Sequence, residues 1–333
     1  MHMNSIFRAL SLGMFTAALA ASFCGPAHSA DGYPSRPVRL ITPNAPGGPS
    51  DALLRGVAQV LSADLGQQFI VENRPGGEGI IAGEACNSAA PDGYTFCLAD
   101  AFNVLLLPLT KARVSYDPSR WEPVALFGFL PTGFWASISS GYQDAQELFA
   151  ASKNKAGMVT IGSWGRASSP YLHAEFLRKV QRADINVINY RSAVAAWQGM
   201  LSGEISSTLY GLQAGLPMLQ ASKTRLLAVN TESRIPELPN VPTFTEIGLQ
   251  SGTMLWFALF APPGTPPSIV NQINQRIGKL VFENAGNKAR LLSANGYLTD
   301  ARAGGQASEI RTFIRSQQDI YKKWVSGAGV VPE

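Results

Sequence analysis

Charge, histidine and cysteine are all scarce in this chain, and each scarcity narrows what it can do. Only 15% of the 333 residues are charged, against roughly 25% in an ordinary globular domain. The Lys and Arg residues are scattered, whereas nucleic-acid binding needs them clustered on one face, so no nucleic-acid partner is expected. The three histidines, His2, His28 and His173, form no group with metal-ligand spacing, and no metal or other cofactor is expected. G-x-S-x-G, H-E-x-x-H and P-loop motifs are missing. Past residue 30 no apolar run reaches the length of about 18 that would read as a membrane span. Neither a repeat of fixed period nor a low-complexity tract occurs. What is plentiful is apolar surface, 46% of the residues. That composition is globular rather than disordered, and the length suits one large domain or two of ordinary size.

Residues 1–30 read as an export leader. Arg8 supplies the positive start, residues 9–21 the short apolar segment, and Pro26-Ala27-His28-Ser29-Ala30 a small-residue cleavage site, with the cut expected after Ser29 or Ala30. Cys24 would invite a lipid anchor, but Phe23 is bulky where lipoprotein signals carry a small residue, so a soluble periplasmic protein is expected. Removing the leader takes Arg8 and no acid, and the net charge falls from +4 to +3. His173 is then the only histidine left, and a hydrolase triad would have to use it. It sits inside a predicted helix with Glu175 near in sequence but on another face, and reads as a helix-surface residue rather than a base. Cys86 and Cys97 also remain. An even number in an oxidising compartment points to a disulfide, with two buried thiols as the alternative.

Hydrophobic periodicity and Gly/Pro punctuation give an alternation of strands and helices. Strands are predicted over 38–42, 69–73 and 95–99, with helices after Ser50 or Asp51 and over 80–88. Further strands are predicted over 124–130, 134–138, 158–161, 186–189, 205–209, 226–229 and 254–260. Helices are expected over 145–152, 169–181, 193–201 and 214–221, and two or three more follow Pro262-Pro263-Gly264. The last carries Ile310, Phe313, Ile314, Ile320, Tyr321 and Trp324 on one stripe. Strand, Gly-rich turn and helix in sequence mean βαβ units. The fold expected is therefore α/β, in two lobes, each a mainly parallel sheet flanked by helices, with a ligand cleft between them. Chain crossings near 130–132 and 252–255 would make residues 33–131 plus 254–333 lobe I and residues 132–253 lobe II.

Several turns after strands carry groups suited to an anion. Pro46-Gly47-Gly48-Pro49-Ser50-Asp51 opens a helix, so its N–H groups and the Ser50 hydroxyl can meet a carboxylate. The plain alternative is a turn with Asp51 as a cap. Ser163-Trp164-Gly165-Arg166-Ala167-Ser168-Ser169 offers hydroxyls, N–H groups and a guanidinium that can fork onto a carboxylate; the alternative is a solvated loop with a serine cap. Tyr190-Arg191-Ser192 and Tyr210-Gly211-Leu212-Gln213 are similar turns. Gly77-Glu78-Gly79-Ile80-Ile81-Ala82 fits a loose dinucleotide fingerprint. Asn73-Arg74-Pro75-Gly76, however, separates it from the strand where that fold turns at once, and no nucleotide is expected.

Taken in order, a set of short motifs resembles the tripartite tricarboxylate transporter receptor family, also called the Bug family of periplasmic solute-binding proteins. They are Tyr33-Pro34-Ser35-Arg36-Pro37-Val38-Arg39, Pro46-Gly47-Gly48 with Asp51, Val71-Glu72-Asn73-Arg74-Pro75-Gly76, Pro91-Asp92-Gly93-Tyr94-Thr95 and Tyr116-Asp117-Pro118. Leu238-Pro239-Asn240-Val241-Pro242-Thr243, Glu246-Ile247-Gly248 and Ala261-Pro262-Pro263-Gly264-Thr265-Pro266 follow. No single motif is decisive, but the set spans nearly the whole mature chain.

The resemblance implies a two-lobed, Venus-flytrap receptor. It would be a monomer and not an enzyme, would close on a small organic acid, and would deliver it to the membrane permease subunits of a tripartite tricarboxylate transporter. The residues it implies around the ligand are Asn44, Gly47, Gly48, Ser50, Asp51, Asp100, Ala101, Ser163, Trp164, Arg166, Ala167, Ser168, Tyr190, Ser192 and Tyr210. The departures from the family pattern cluster in the same turns. Asn44 stands where an aromatic residue is usual, and Asp100 where a small or hydroxyl residue is usual. Trp164 and Arg166 enlarge a Gly/Ser-rich loop, Arg191-Ser192-Ala193 replaces Lys-Gly-Gly, and an Asp or Asn common near Tyr210 is missing. The competing readings are a periplasmic enzyme acting on a small metabolite, disfavoured by the missing nucleophile–base pair, and a sensing receptor with no permease of its own.

Overall fold

Val38, Leu40, Ile41 and Thr42 are buried and only Arg39 is exposed in the first strand, a pattern that belongs to a sheet covered on both faces. The computed structural model describes residues 32–154, 159–249 and 254–332. Residues 32–35 form no helix or strand, and the compact body begins at Arg36. The expected leader with its cut site, the strand start at Met158 and half of the second chain crossing lie outside the described residues.

In chain order the strands are β1 (Val38–Thr42), β2 (Phe69–Asn73), β3 (Thr95–Asp100), β4 (Glu122–Leu130), β5 (Thr132–Ser137), β6 (Val159–Ser163), β7 (Ile185–Asn189), β8 (Ser207–Gly211), β9 (Thr224–Val229) and β10 (Leu255–Ala261). The helices are α1 (Pro49–Leu65), α2 (Ile80–Asn87), α3 (Leu107–Thr110), α4 (Ala145–Asn154), α5 (Ser169–Gln181), α6 (Ala193–Leu201), α7 (Leu212–Gln220), α8 (Pro267–Ile277), α9 (Ala285–Leu291) and α10 (Ala307–Ala328).

These strands make two five-stranded sheets, ordered β2-β1-β3-β10-β4 and β7-β6-β8-β5-β9. In the first, β1 runs parallel to β2 and β3, while β10 is antiparallel to both β3 and β4. In the second, β6 runs parallel to β7 and β8, while β5 is antiparallel to β8 and β9. Four of the five strands in each sheet therefore point one way. The fourth place in each order is taken by a reversed strand, so the sheets are mixed. Each sheet with its helices is one lobe, the α/β two-lobed architecture expected. α1 and α2 pack on the first sheet with α8 and α10, and α5, α6 and α7 on the second.

Two local expectations are corrected. The first helix begins at Pro49 with Gly48 as its N-cap, not after Ser50 or Asp51, because proline is pre-set for the first helical position and lacks only an N–H that would be unpaired there anyway. His173 is not on a surface. It is 1% exposed, its Nδ1 lies 2.8 Å from the Ser169 carbonyl oxygen, and its ring packs edge-on against Phe244 and Trp324. Its helix is covered by α10, which the sequence around His173 does not reveal. Cys86 of α2 and Cys97 of β3 are disulfide-bonded, as expected.

Candidate functional site

Turns that follow the parallel strands of both sheets, together with the starts of β5 and β10, line one cleft with a cavity of about 140 Å³. This is where open α/β sheets expose backbone N–H groups and helix N-termini. From the first lobe come the turn after β1 (Asn44, Gly48, Ser50), the turn before α2 (Glu78, Gly79) and the end of β3 (Asp100, Asn103). From the second come Trp164, Ala167 and Ser168 after β6, Arg191 and Ser192 after β7, and Tyr210 at the end of β8.

The first turn is held by an acid that serves the scaffold. Asp51 Oδ2 accepts from the Gly47 N–H at 3.1 Å and from Arg55 Nε at 3.0 Å, and Oδ1 accepts from Asn73 Nδ2 at 2.8 Å. Burial alone would raise this carboxyl. The hydrogen bonds from Arg55, Asn73 and Gly47, with the Arg55 charge, outweigh it and hold the group below its ordinary value. Gly47 has φ +89°, which glycine adopts freely. The result leaves Gly48, Pro49 and Ser50 against the cavity, with no side chain capping α1, so the positive end of that helix faces the cleft.

Asp100 ends β3 at 6% exposure. Its Oδ1 accepts from the Phe102 and Asn103 N–H groups at 3.0 and 3.1 Å. Burial nevertheless dominates those bonds and pushes the carboxyl up to about 6. Asn103 is equally buried. Its Nδ2 donates to the Glu78 carbonyl oxygen at 3.4 Å, and its Oδ1 has no hydrogen-bond partner. In the second lobe, Ser192 Oγ caps α6 by accepting from the Ala195 N–H at 3.2 Å. Tyr210 stacks on Trp197, centroids 4.8 Å apart, and burial raises its phenol above the ordinary value.

Of the residues expected around a ligand, Asn44, Gly48, Ser50, Asp100, Trp164, Ala167, Ser168, Ser192 and Tyr210 meet in this cleft. Gly47, Asp51, Ala101, Ser163, Arg166 and Tyr190 stand outside its lining, each for a visible reason. Gly47 and Asp51 are engaged with each other. Ala101 is in the first-lobe core. Ser163 is fully buried and its hydroxyl bonds Asn189. Arg166 turns away, donating to the Tyr171 hydroxyl at 2.8 Å and to the Val331 carbonyl oxygen at 3.3 Å. The Tyr190 ring packs over Gly199 of α6, where an added Cβ would lie 2.4 Å from its hydroxyl. The reasoning from sequence missed Glu78, which lay inside a motif set aside as a nucleotide decoy. Arg191, the one basic side chain of the described lining, was placed in its turn but not among the residues expected around a ligand. Among the described residues no group of three or more His, Cys, Asp or Glu side chains could hold a metal ion.

The sequence profile described as the tripartite tricarboxylate transporter family receptor matches residues 53–324. A protein of Bordetella bronchiseptica is 30% identical over 99% of this chain and 96% of its own length. Protein BugT of Bordetella pertussis is 30% identical over 86% of this chain and 87% of its own. A solved structure, R. palustris Rpa4515 with adipate, superposes with a TM-score of 0.82 at 27% identity, covering 90% of this chain and all of the other. Carrying that profile over most of its length, on two sheets that share one cleft, this chain belongs to the tripartite tricarboxylate transporter receptor family.

Proposed function

We propose that the mature protein is a periplasmic receptor that captures a small organic anion by its carboxylate and presents it to the permease subunits of a tripartite tricarboxylate-type transporter. It would act as a monomer and catalyse no reaction on the bound solute. The observation that carries this reading is a cleft lined by turns of both sheets. A cavity of about 140 Å³ is below the roughly 300–1,000 Å³ of sites for drug-sized ligands, so the solute is small. The two lobes would be residues 33–131 with 254–333, and residues 132–253. The carboxylate would sit against the open N-terminus of α1, with the Ser50 hydroxyl and the Arg191 guanidinium as its side-chain donors. The adipate held by the relative above is a precedent for a carboxylate ligand on this scaffold.

Thermal unfolding of ligand-stripped mature protein against mono-, di- and tricarboxylates, amino acids, aromatic acids and neutral controls tests the reading. A true ligand at a hundred times its dissociation constant stabilises by about 2.7 kcal/mol, a shift of several degrees. With that ligand, Ser50→Ala should weaken binding by about 1–3 kcal/mol, the loss of a bond to a charged group. A flat response to every acid in the panel would overturn the assignment.

A further inference from the structure

The turn between β2 and α2 contains the least expected backbone in the cleft. Gly76, Gly77, Glu78 and Gly79 all have positive φ, and Glu78, at +58°, carries a side chain there. Left-handed backbone is unfavourable for a non-glycine residue and persists where surrounding contacts enforce it. Those contacts are visible. The Glu78 carboxylate crosses the cleft to the second lobe, where its Oε2 accepts from the Ala167 N–H at 3.3 Å. Its Oε1 pairs with Lys111 Nζ at 3.1 Å. A Cβ on Gly165 would lie 2.3 Å from the Glu78 carboxyl carbon, so the loop after β6 admits this carboxylate only because residue 165 is glycine.

That loop is a second place where the cleft could receive an anion, and its Trp164, Ala167 and Ser168 N–H groups are already engaged. The Ala167 N–H points to Glu78, the Ser168 N–H donates to the Gly165 carbonyl at 3.0 Å, and the Trp164 N–H reaches Ser168 Oγ at 3.4 Å. The Ser168 hydroxyl itself donates to the Gly165 carbonyl at 2.6 Å. Away from α1 the cleft also offers acceptors, besides the Arg191 guanidinium and the Thr132 and Tyr210 hydroxyls. Asn103 Oδ1 is buried without a partner, and its assignment as the oxygen follows from Nδ2 donating to the Glu78 carbonyl. Beside it stands the buried carboxyl of Asp100. A buried acceptor left unpaired is costly, and a ligand that supplies a donor removes that cost.

Resting on the receptor reading above, we infer that Glu78 sets specificity: it fills the second anion seat, so the ligand has one carboxylate, and its other end carries N–H donors, an amide or an ammonium, for Asn103 and Asp100. A dicarboxylate would have to displace Glu78 from Ala167 and Lys111 or bring its second charge against Asp100. Like charge and an unpaired acceptor both act against it.

Matched sets of probes decide the matter by calorimetry on the ligand-stripped mature protein. These are succinate, glutarate and adipate, their monoamides, and the ω-amino acids of the same lengths. For the length that fits, the monoamide or the amino acid should bind at least about tenfold tighter than the dicarboxylate. In Glu78→Gly, which relieves the backbone and empties the seat, that ratio should fall or invert. A wild-type protein that binds the dicarboxylate as tightly as its partners, or a Glu78→Gly variant with the ratio unchanged, overturns the assignment to Glu78 and leaves the receptor reading intact. No binding of any acid, in these sets or the wider panel, removes both.

Discussion

Asp100 is a carboxyl that the fold holds in a place where ionisation is expensive. Its pKa is raised to about 6 by burial, so the folded protein binds that proton more tightly than the unfolded chain does. The sign follows: the associated stability is fully present below about pH 4 and is lost as the pH rises through about 6, a difference of about 3 kcal/mol. Asp100→Asn keeps an oxygen for the Phe102 and Asn103 N–H groups and cannot ionise. Its melting temperature should exceed that of the wild type by several degrees at pH 7.5 and match it near pH 4, as measured by thermal unfolding across that range. Equal melting curves at both pH values would mean that the carboxyl is not paying for burial. At this scale the sequence was a partial guide. Asp100 ends β3, Ser192 follows β7 and Ser50 opens the helix after β1, so strand prediction delivered them to the cleft. Arg166 and His173 are engaged partly by near neighbours, Tyr171 and Ser169, and partly by Val331, Phe244 and Trp324, which are remote in the chain and invisible to local sequence. Glu78 escaped notice because a glycine-rich string hides which of its residues bears the useful side chain.

Elements were more legible than single side chains. β2, α5 and α6 have the bounds that periodicity predicted, since Gly, Pro and Ser mark their ends and a one-face apolar stripe marks their interiors. The stretch 102–110 was not foreseen as helical. It enters a helix directly from β3 without a glycine or proline to mark the change, and its run of leucines fits strand and buried helix equally well. The disulfide acts at this scale, tying α2 to β3 beneath the turn that carries Glu78. Replacing Cys86 and Cys97 with serine should cost about 3 kcal/mol in the chain-entropy description of so short a loop. Denaturant unfolding would register this as a lower midpoint. A midpoint unchanged from wild type would show that the bridge adds nothing beyond packing.

At the level of the whole molecule, the same strand order occurs twice, with the reversed strand in the same place. The chain passes from one sheet to the other directly through Pro131, between β4 and β5. A cleft lined from two lobes joined by so few connections is suited to hinge closure. Saturating ligand should therefore lower the radius of gyration measured by small-angle X-ray scattering, and an unchanged value would indicate a rigid, preformed site. That there would be two lobes was readable from the sequence because the β–turn–α rhythm breaks and resumes. The place of β10 within its sheet, antiparallel between β3 and β4, was not, because that pairing joins residues far apart in the chain.

That last pairing has a consequence for biogenesis. β3 and β4 do not touch each other in the first sheet; β10 stands between them. The second sheet has all its strands within residues 132–229, whereas the first must wait for residues 255–261. A chain that emerges N-terminus first thus finishes its later-arriving lobe before its earlier one. Throughout that interval β3 and β4 present unpaired edges to their surroundings, open to pairing with the wrong strand.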